Sequence, residues 1–222
     1  MPYRGFADPK RRLASHLSLD ERRGLSQAML KDVMLAMNGV RRLSRKLLVS
    51  QDVDALRFAV CHGLEPLVEQ EPLSYRSAAE QAAAAAHAAS AKGVLVLPAD
   101  LPLLTAADVE ALLEKSEAAP VTLAPAYRGG GTNALLCVPP GAIPYLYGPG
   151  SSRAHLAAAS QRGLASVVVE LPGFGRDVDL PEDMQWLLAT GISGRSTATV
   201  RYIEEIGLRQ RLSAEPESST KV

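Results

Sequence analysis

The segment "VLVLPADLPLL" (94–104) runs an apolar stretch into Asp100, a carboxylate set between Pro98 and Pro102. Far downstream, "GRDVDLPED" carries Asp177 and Asp179 two residues apart. In extended backbone alternate side chains share a face, so these two carboxylates repel unless a cation lies between them. Hard oxygen ligands suit magnesium, which uses few carboxylates and takes its remaining oxygens from water and phosphate. Each acid also has a plainer reading. Asp100 could cap a turn, and Glu182 and Asp183 read as solvated acids at a helix entry.

Three further motifs offer anion contacts. "PYRGFADPKRRL" gathers Arg4, Lys10, Arg11 and Arg12 around Gly5, and cationic groups on a glycine-bearing loop suit a polyphosphate; a solvated basic tail is the bland alternative. "YRGGGTNALL" places Thr132 and Asn133 beside three glycines that let backbone approach a ligand, or simply forms a hairpin. "YGPGSSRAH" delivers Ser151 to a helix N-terminus, where N–H groups favour an anion, or provides an ordinary N-cap. His155 reads as a packing or phosphate-contact residue, because no partner at metal-ligand spacing accompanies it. A metal and two separate anion sites suggest transfer between phosphates.

An alternation of strands and helices must position these groups. Strands are expected in "KLLVSQD", "EPLVEQ", "GVLVLPAD", "APVTLAPA", "TNALLCVP" and "ASVVVEL". The first long helix has a capping box, Ser18 with Glu21, and a face of Leu25, Met29, Val33 and Met37. Others are expected in "VDALRFAVCHG", the alanine-rich 77–92, "AADVEALLEKS", "GSSRAHLAAASQRG" and "PEDMQWLLATG", with "TATVRYIEEIGLRQRL" as one terminal helix. This order predicts an α/β fold: a three-layer α/β/α sandwich on a mostly parallel sheet. Ligands bind such sheets beyond the carboxyl ends of the strands, which is where Asp100 falls. Residues 1–209 read as a single domain and 210–222 as a polar, disordered tail.

The 222 residues suffice for one substantial core. A formal net charge of +0 provides no global field toward nucleic acid or an anionic membrane, so neither is expected as a partner. No apolar run approaches the roughly 20 residues a spanning helix needs, and the N-terminus lacks a secretory pattern. Cys61 and Cys137 match no metal-ligand spacing and read as buried thiols in a reducing compartment. A cytoplasmic protein is expected.

"VLVLPADLPLLTAADVEALL", "GGGTNALL", "YGPGSSRAH" and "DVDLPEDM", in this order, resemble the 2-phospho-L-lactate guanylyltransferase family, over roughly residues 2–190. Its bacterial members act on phosphoenolpyruvate or 3-phospho-D-glycerate in coenzyme F-420 biosynthesis. The resemblance implies a nucleotide-diphospho-sugar transferase-like (GT-A-like) fold with GTP and a phosphorylated three-carbon acid as substrates and Mg2+ as cofactor. It implies Asp100, Asp177 and Asp179 as metal ligands, with Thr132, Gly148 and Ser151 on the phospho-acid. Arg4, Lys10 and Arg12 would then face the nucleotide, with Lys10, Arg12 and Asp100 catalytic. It is compatible with a homodimer, which no apolar stripe demands. Three departures stand out. Arg4 replaces a lysine; "SYRSAA" (74–79) stands where a "GLNAAL"-like segment is usual; and the family's first strand, ahead of its proline, is expected to be missing. Open alternatives are another nucleotidyltransferase of this fold, such as a molybdenum-cofactor guanylyltransferase, a glycosyltransferase, or a truncated non-catalytic binding homologue.

Overall fold

A computed structural model describes residues 1–71, 74–190 and 197–214. Six strands are formed: β1 (Leu47–Ser50), β2 (Glu65–Val68), β3 (Val94–Val96), β4 (Val121–Pro125), β5 (Thr132–Cys137) and β6 (Ser166–Val168). The helices are α1 (Leu19–Asn38), α2 (Val53–Cys61), α3 (Tyr75–Ala88), α4 (Ala106–Lys115), α5 (Ser151–Gln161), α6 (Pro172–Gly175), α7 (Pro181–Thr190), α8 (Ala198–Glu205) and α9 (Leu208–Ala214). The expected capping box of Ser18 with Glu21 forms on α1, and a second, Thr105 with Asp108, opens α4.

β1 and β2 pair in parallel, and a second sheet has the order β3-β5-β4-β6. β4 and β6 are parallel, whereas β5 runs antiparallel to both β3 and β4. The reversal comes from the glycine turn, where Gly129 and Gly130 adopt φ of 66° and 62°, a region open to glycine at little cost. The sheet is therefore mixed around one reversed central strand. Alternate β5 side chains serve two cores, which is the signature of a sheet covered on both faces. Ala134 and Leu136 pack with α1, α2 and α4 residues such as Val33, Leu56 and Leu112. Leu135 and Cys137 pack with Ala79 and Ala83 of α3 and Ala159 of α5.

Residues 1–3 run alongside β1: Val49 N–H donates to the Met1 carbonyl and Tyr3 N–H to the Val49 carbonyl, each at 2.9 Å. Beyond Met1 the two sheets part. Leu47 of β1 and Val94–Val96 of β3 line a common groove of about 740 Å³ instead of pairing.

The expected single terminal helix is two, α8 and α9, broken at Gly207 with φ of 64°. Residues 210–214, expected in the tail, belong to α9, while 215–222 lie outside the described residues. Cys137 is buried as expected, but Cys61, on the outer side of α2, is exposed. Among the described residues no helix is long and apolar enough to cross a membrane.

α8 is docked by a buried carboxylate that sequence reading did not single out. Asp32 of α1 accepts the Ala198 N–H at 2.6 Å, the Thr199 N–H at 2.9 Å and the Thr199 hydroxyl at 2.6 Å. Asp32→Leu strands these donors without an acceptor. It should cost about 2–3 kcal/mol, read as a fall of several degrees in thermal unfolding.

Candidate active site

The three acids converge. Asp100 follows β3 in the turn expected of it, and the 177–179 segment lies against that turn through a bond from Val178 N–H to the Asp100 carbonyl, 3.2 Å. This register puts Asp177 and Asp179 on either side of Val178 and toward Asp100. One oxygen from each of the three carboxylates falls within 4.8 Å of the others.

Lys10 enters this cluster from the N-terminal loop. Its Nζ donates to Asp100 Oδ2 at 2.6 Å and Asp179 Oδ1 at 2.8 Å, and its side chain is 9% exposed. The residue holds a left-handed backbone, φ 50°, uncommon for a side-chain-bearing residue and typical of functional sites. Burial alone pulls the ammonium's pKa down, but Asp100 and Asp179 outweigh it and hold Lys10 above the usual lysine range. Burial pushes Asp179 up, and Lys10 then brings it below the usual carboxylate range. Among the described residues Asp177 has no cationic partner: burial, then the charges of Asp100 and Asp179, raise its pKa. Arg12 stays at the rim, Nη1 4.0 Å from Asp179 Oδ2 with 70% of its side chain exposed.

The cluster fits a divalent cation on two counts. Asp100 Oδ1 is buried with no hydrogen-bond partner among the described residues, an expensive arrangement for a carboxylate oxygen without a counter-ion. Asp177 is a carboxylate raised by like charges, the condition a hard cation relieves.

A second, neutral cluster sits next door. Thr132 Oγ1 lies 2.9 Å from Ser151 Oγ and 3.1 Å from His155 Nδ1. The Leu146 N–H donates to His155 Nε2 at 2.8 Å, so that nitrogen is an acceptor and Nδ1 carries the proton. His155 thus donates to Thr132 and fixes which way the Thr132 and Ser151 hydroxyls point. Gly148, at φ 144°, accepts the Ser151 N–H at the turn into α5. Bonds from Gly150 N–H to Gly129 O and Ser152 N–H to Gly130 O join this turn to the β4–β5 turn.

Burial lowers the His155 pKa to about 4, from 6.5. Between these values the unfolded chain holds a proton on this ring that the folded chain does not, so stability rises with pH across the window. The thermal midpoint should fall as pH drops from 6.5 to 4, and His155→Gln should flatten that fall by several degrees. An unchanged slope in the variant would assign the acid sensitivity to other groups.

A family model described as "Guanylyl transferase CofC like" matches residues 1–222. The chain belongs to this family. Among CofC-like relatives it is similar to a phosphoenolpyruvate guanylyltransferase from Rubrobacter xylanophilus, 41% identical over 192 residues, covering 86% of this chain and 93% of that one. It is also similar to a 2-phospho-L-lactate guanylyltransferase from Methanothermobacter thermautotrophicus, 35% identical over 206 residues, covering 93% and 89%. The fold matches a crystal structure named as a nucleotide-diphospho-sugar transferase from Desulfovibrio desulfuricans, with a TM-score of 0.78 at 17% identity, covering 94% of this chain and 95% of that one. The expected nucleotide-diphospho-sugar transferase-like fold is thereby found.

Two residues shape the site of this CofC-like protein in ways their sequence context did not give. Asn133, next to Thr132 on β5, donates to the Phe174 carbonyl at 2.7 Å and to Asp177 Oδ1 at 3.4 Å, linking the two clusters. Its place beside Thr132 in "GGGTNALL" was the available signal. Asp183, expected to be solvated, is buried: its Oδ2 accepts the N–H groups of Asp179 (3.2 Å) and Leu180 (2.9 Å), and its Oδ1 pairs with Arg128 at 3.2 Å. It holds the backbone that presents Asp179. Arg4 lies outside the acid cluster, lining a separate cavity with Gln51 and Glu69.

Proposed function

We propose that the protein is a guanylyltransferase of coenzyme F-420 biosynthesis, joining GMP from GTP to phosphoenolpyruvate, 2-phospho-L-lactate or 3-phospho-D-glycerate with release of pyrophosphate. The observation that carries this reading is the convergence of Asp100, Asp177 and Asp179 on one another, with Lys10 paired to Asp100 and Asp179, beside the Thr132–Ser151 pair. It provides a cation-binding, phosphate-facing half and a neutral hydrogen-bonding half. Mg2+ is the cofactor this donor set suits, held by the three carboxylates; when bound it supplies charge neutralisation at the nucleotide's phosphates. The reaction needs no nucleic acid or membrane partner, and its setting is the cytoplasm.

The residues then divide the work. Lys10 lies where it can bear on negative charge developing on the triphosphate, and Arg12, exposed at the rim, can meet the leaving pyrophosphate. Thr132, Gly148 and Ser151 hold the phospho-acid, with the hydroxyls oriented by His155. An oxygen of the acid's phosphate attacks the α-phosphorus of GTP in line; that P–O bond forms as the bond to the β-phosphate's bridging oxygen breaks. A phosphate monoester, with a second pKa of about 6, is largely dianionic at neutral pH and needs no general base. A neutral His155, bound through both ring nitrogens, is consistent with this.

Pyrophosphate release measured with GTP, CTP, ATP and UTP against each of the three phospho-acids tests the reading. Turnover is expected with GTP and at least one acid. Turnover only with CTP, or only with a sugar phosphate or a pterin cofactor as acceptor, would move the chain to the alternatives named above. Ligand binding with no turnover in any combination would favour a non-catalytic homologue.

A further inference from the structure

A cavity of about 220 Å³ lies at the carboxyl ends of β1 and β2, bounded by Pro2, Tyr3 and Tyr75 and by the polar groups of Gln51, Glu69 and Ser74. It is smaller than pockets that enclose whole drug-sized ligands, and it suits one planar ring system with two aromatic side chains in its wall. Tyr75 lines it and has its hydroxyl pKa raised by burial and then by the charge of Asp100. Arg4, on its rim, begins the loop that ends in Lys10. On the guanylyl-transfer reading, a nucleotide with its phosphates at Lys10 would direct its base along this loop toward the cavity.

Glu69 is the unusual group here. It is 9% exposed, and among the described residues its carboxylate accepts one hydrogen bond, from the Ser74 N–H to Oε1 at 3.2 Å. Burial raises its pKa, with Ser74 and Arg4 only partly opposing. A carboxylate has about four acceptor sites, and Glu69, lining the cavity, can present those not taken by Ser74 to a ligand's donors. Both carboxylate oxygens are best matched by a pair of adjacent donors on one rigid edge. Of the four bases only guanine offers that, through N1–H and the 2-amino group. Adenine and cytosine put a ring acceptor beside their amino group, and uracil flanks its single N–H with two carbonyls, so each brings an acceptor against a carboxylate. That mismatch would act as rejection, not merely weaker attraction.

We infer that Glu69 is the residue that reads the nucleotide's base, accepting from the Watson–Crick edge of guanine in the cavity formed by residues 2–4, Gln51 and the start of α3. This rests on the guanylyl-transfer reading, and it assigns base selection to a residue outside the "SYRSAA" segment, where the chain departs from the family.

Inosine triphosphate differs from GTP only in lacking the 2-amino group, so the GTP/ITP ratio isolates one bond of the pair. Affinities of both nucleotides measured by titration calorimetry with Mg2+, alongside kcat/KM for each, provide two independent readouts. Wild-type protein should prefer GTP over ITP roughly 10- to 100-fold, the worth of one hydrogen bond to a charged group. In Glu69→Ala the preference should shrink to within about threefold, through loss of GTP affinity. Glu69→Gln, which keeps the volume and an acceptor for Ser74 N–H, should also lose it, because its amide nitrogen is a donor facing a donor. A GTP/ITP ratio unchanged in a folded Glu69→Gln overturns the inference. Guanine-selective binding that depends on Glu69, in a protein that transfers nothing, would support the inference and overturn the guanylyl-transfer reading instead.

Discussion

Asp100→Asn should lower guanylyl transfer by at least about a thousandfold while leaving the fold intact, the scale seen when a group that stabilises transition-state charge is removed. The carboxamide keeps the size and one oxygen of the side chain. It loses the charge that pairs with Lys10 and, at Oδ1, the buried oxygen left without a partner. The carboxamide also ends the repulsion between Asp100 and Asp177, which offsets the lost pairing with Lys10, so stability should change little. Pyrophosphate release and thermal unfolding measured on the same preparation separate the two effects. Near-normal turnover in the variant would refute a metal-binding role for Asp100. A collapse of the thermal midpoint would mean that the residue is structural after all.

Lys10→Met should be nearly as damaging to activity, by about 10²- to 10³-fold, and unlike Asp100→Asn it should also destabilise the cation-free protein. Removing the ammonium leaves Asp100, Asp177 and Asp179 facing one another with no positive partner at the Lys10 distances of 2.6 and 2.8 Å. Breaking a fully buried pair this way costs about 3–5 kcal/mol; with the Asp179 side chain 42% exposed, about 1–2 kcal/mol is the better expectation once solvent screening is allowed for. Mg2+ should then raise the variant's thermal midpoint more than it raises that of wild type, since the ion restores the missing charge. Equal Mg2+ stabilisation of both proteins would show that the lysine and the ion do not share the cluster.

How much of this was readable in the chain varies with the range of the interaction. The capping boxes at Ser18 and Thr105, the six strands and the alternation of elements follow from local spacing, and they form where that spacing puts them. The convergence of Asp100 with Asp177 and Asp179 was inferable because both motifs come after strands of one α/β sheet, β3 directly and β6 by way of α6, and the carboxyl ends of such strands share one edge. The contacts of Lys10 were not, since its partners are 90 and 169 residues away and no local period reports them. Asp183 was misread because an acid in the first turn of a helix ordinarily points to water. Here it turns back to accept the Asp179 and Leu180 N–H groups and is enclosed. The break between α8 and α9 hangs on one residue, Gly207, inside a stretch whose apolar spacing is otherwise helical throughout. β5 reverses direction through its glycine turn, whereas apolar content alone describes a strand without its sense.

The most direct measurement is a crystal structure with GTP and Mn2+, the metal located by its anomalous scattering. The account predicts a metal peak among the side chains of Asp100, Asp177 and Asp179, in contact with the nucleotide's phosphates. A nucleotide bound with its phosphates away from these carboxylates, or a metal held elsewhere while Asp100 Oδ1 stays without a ligand, would contradict it.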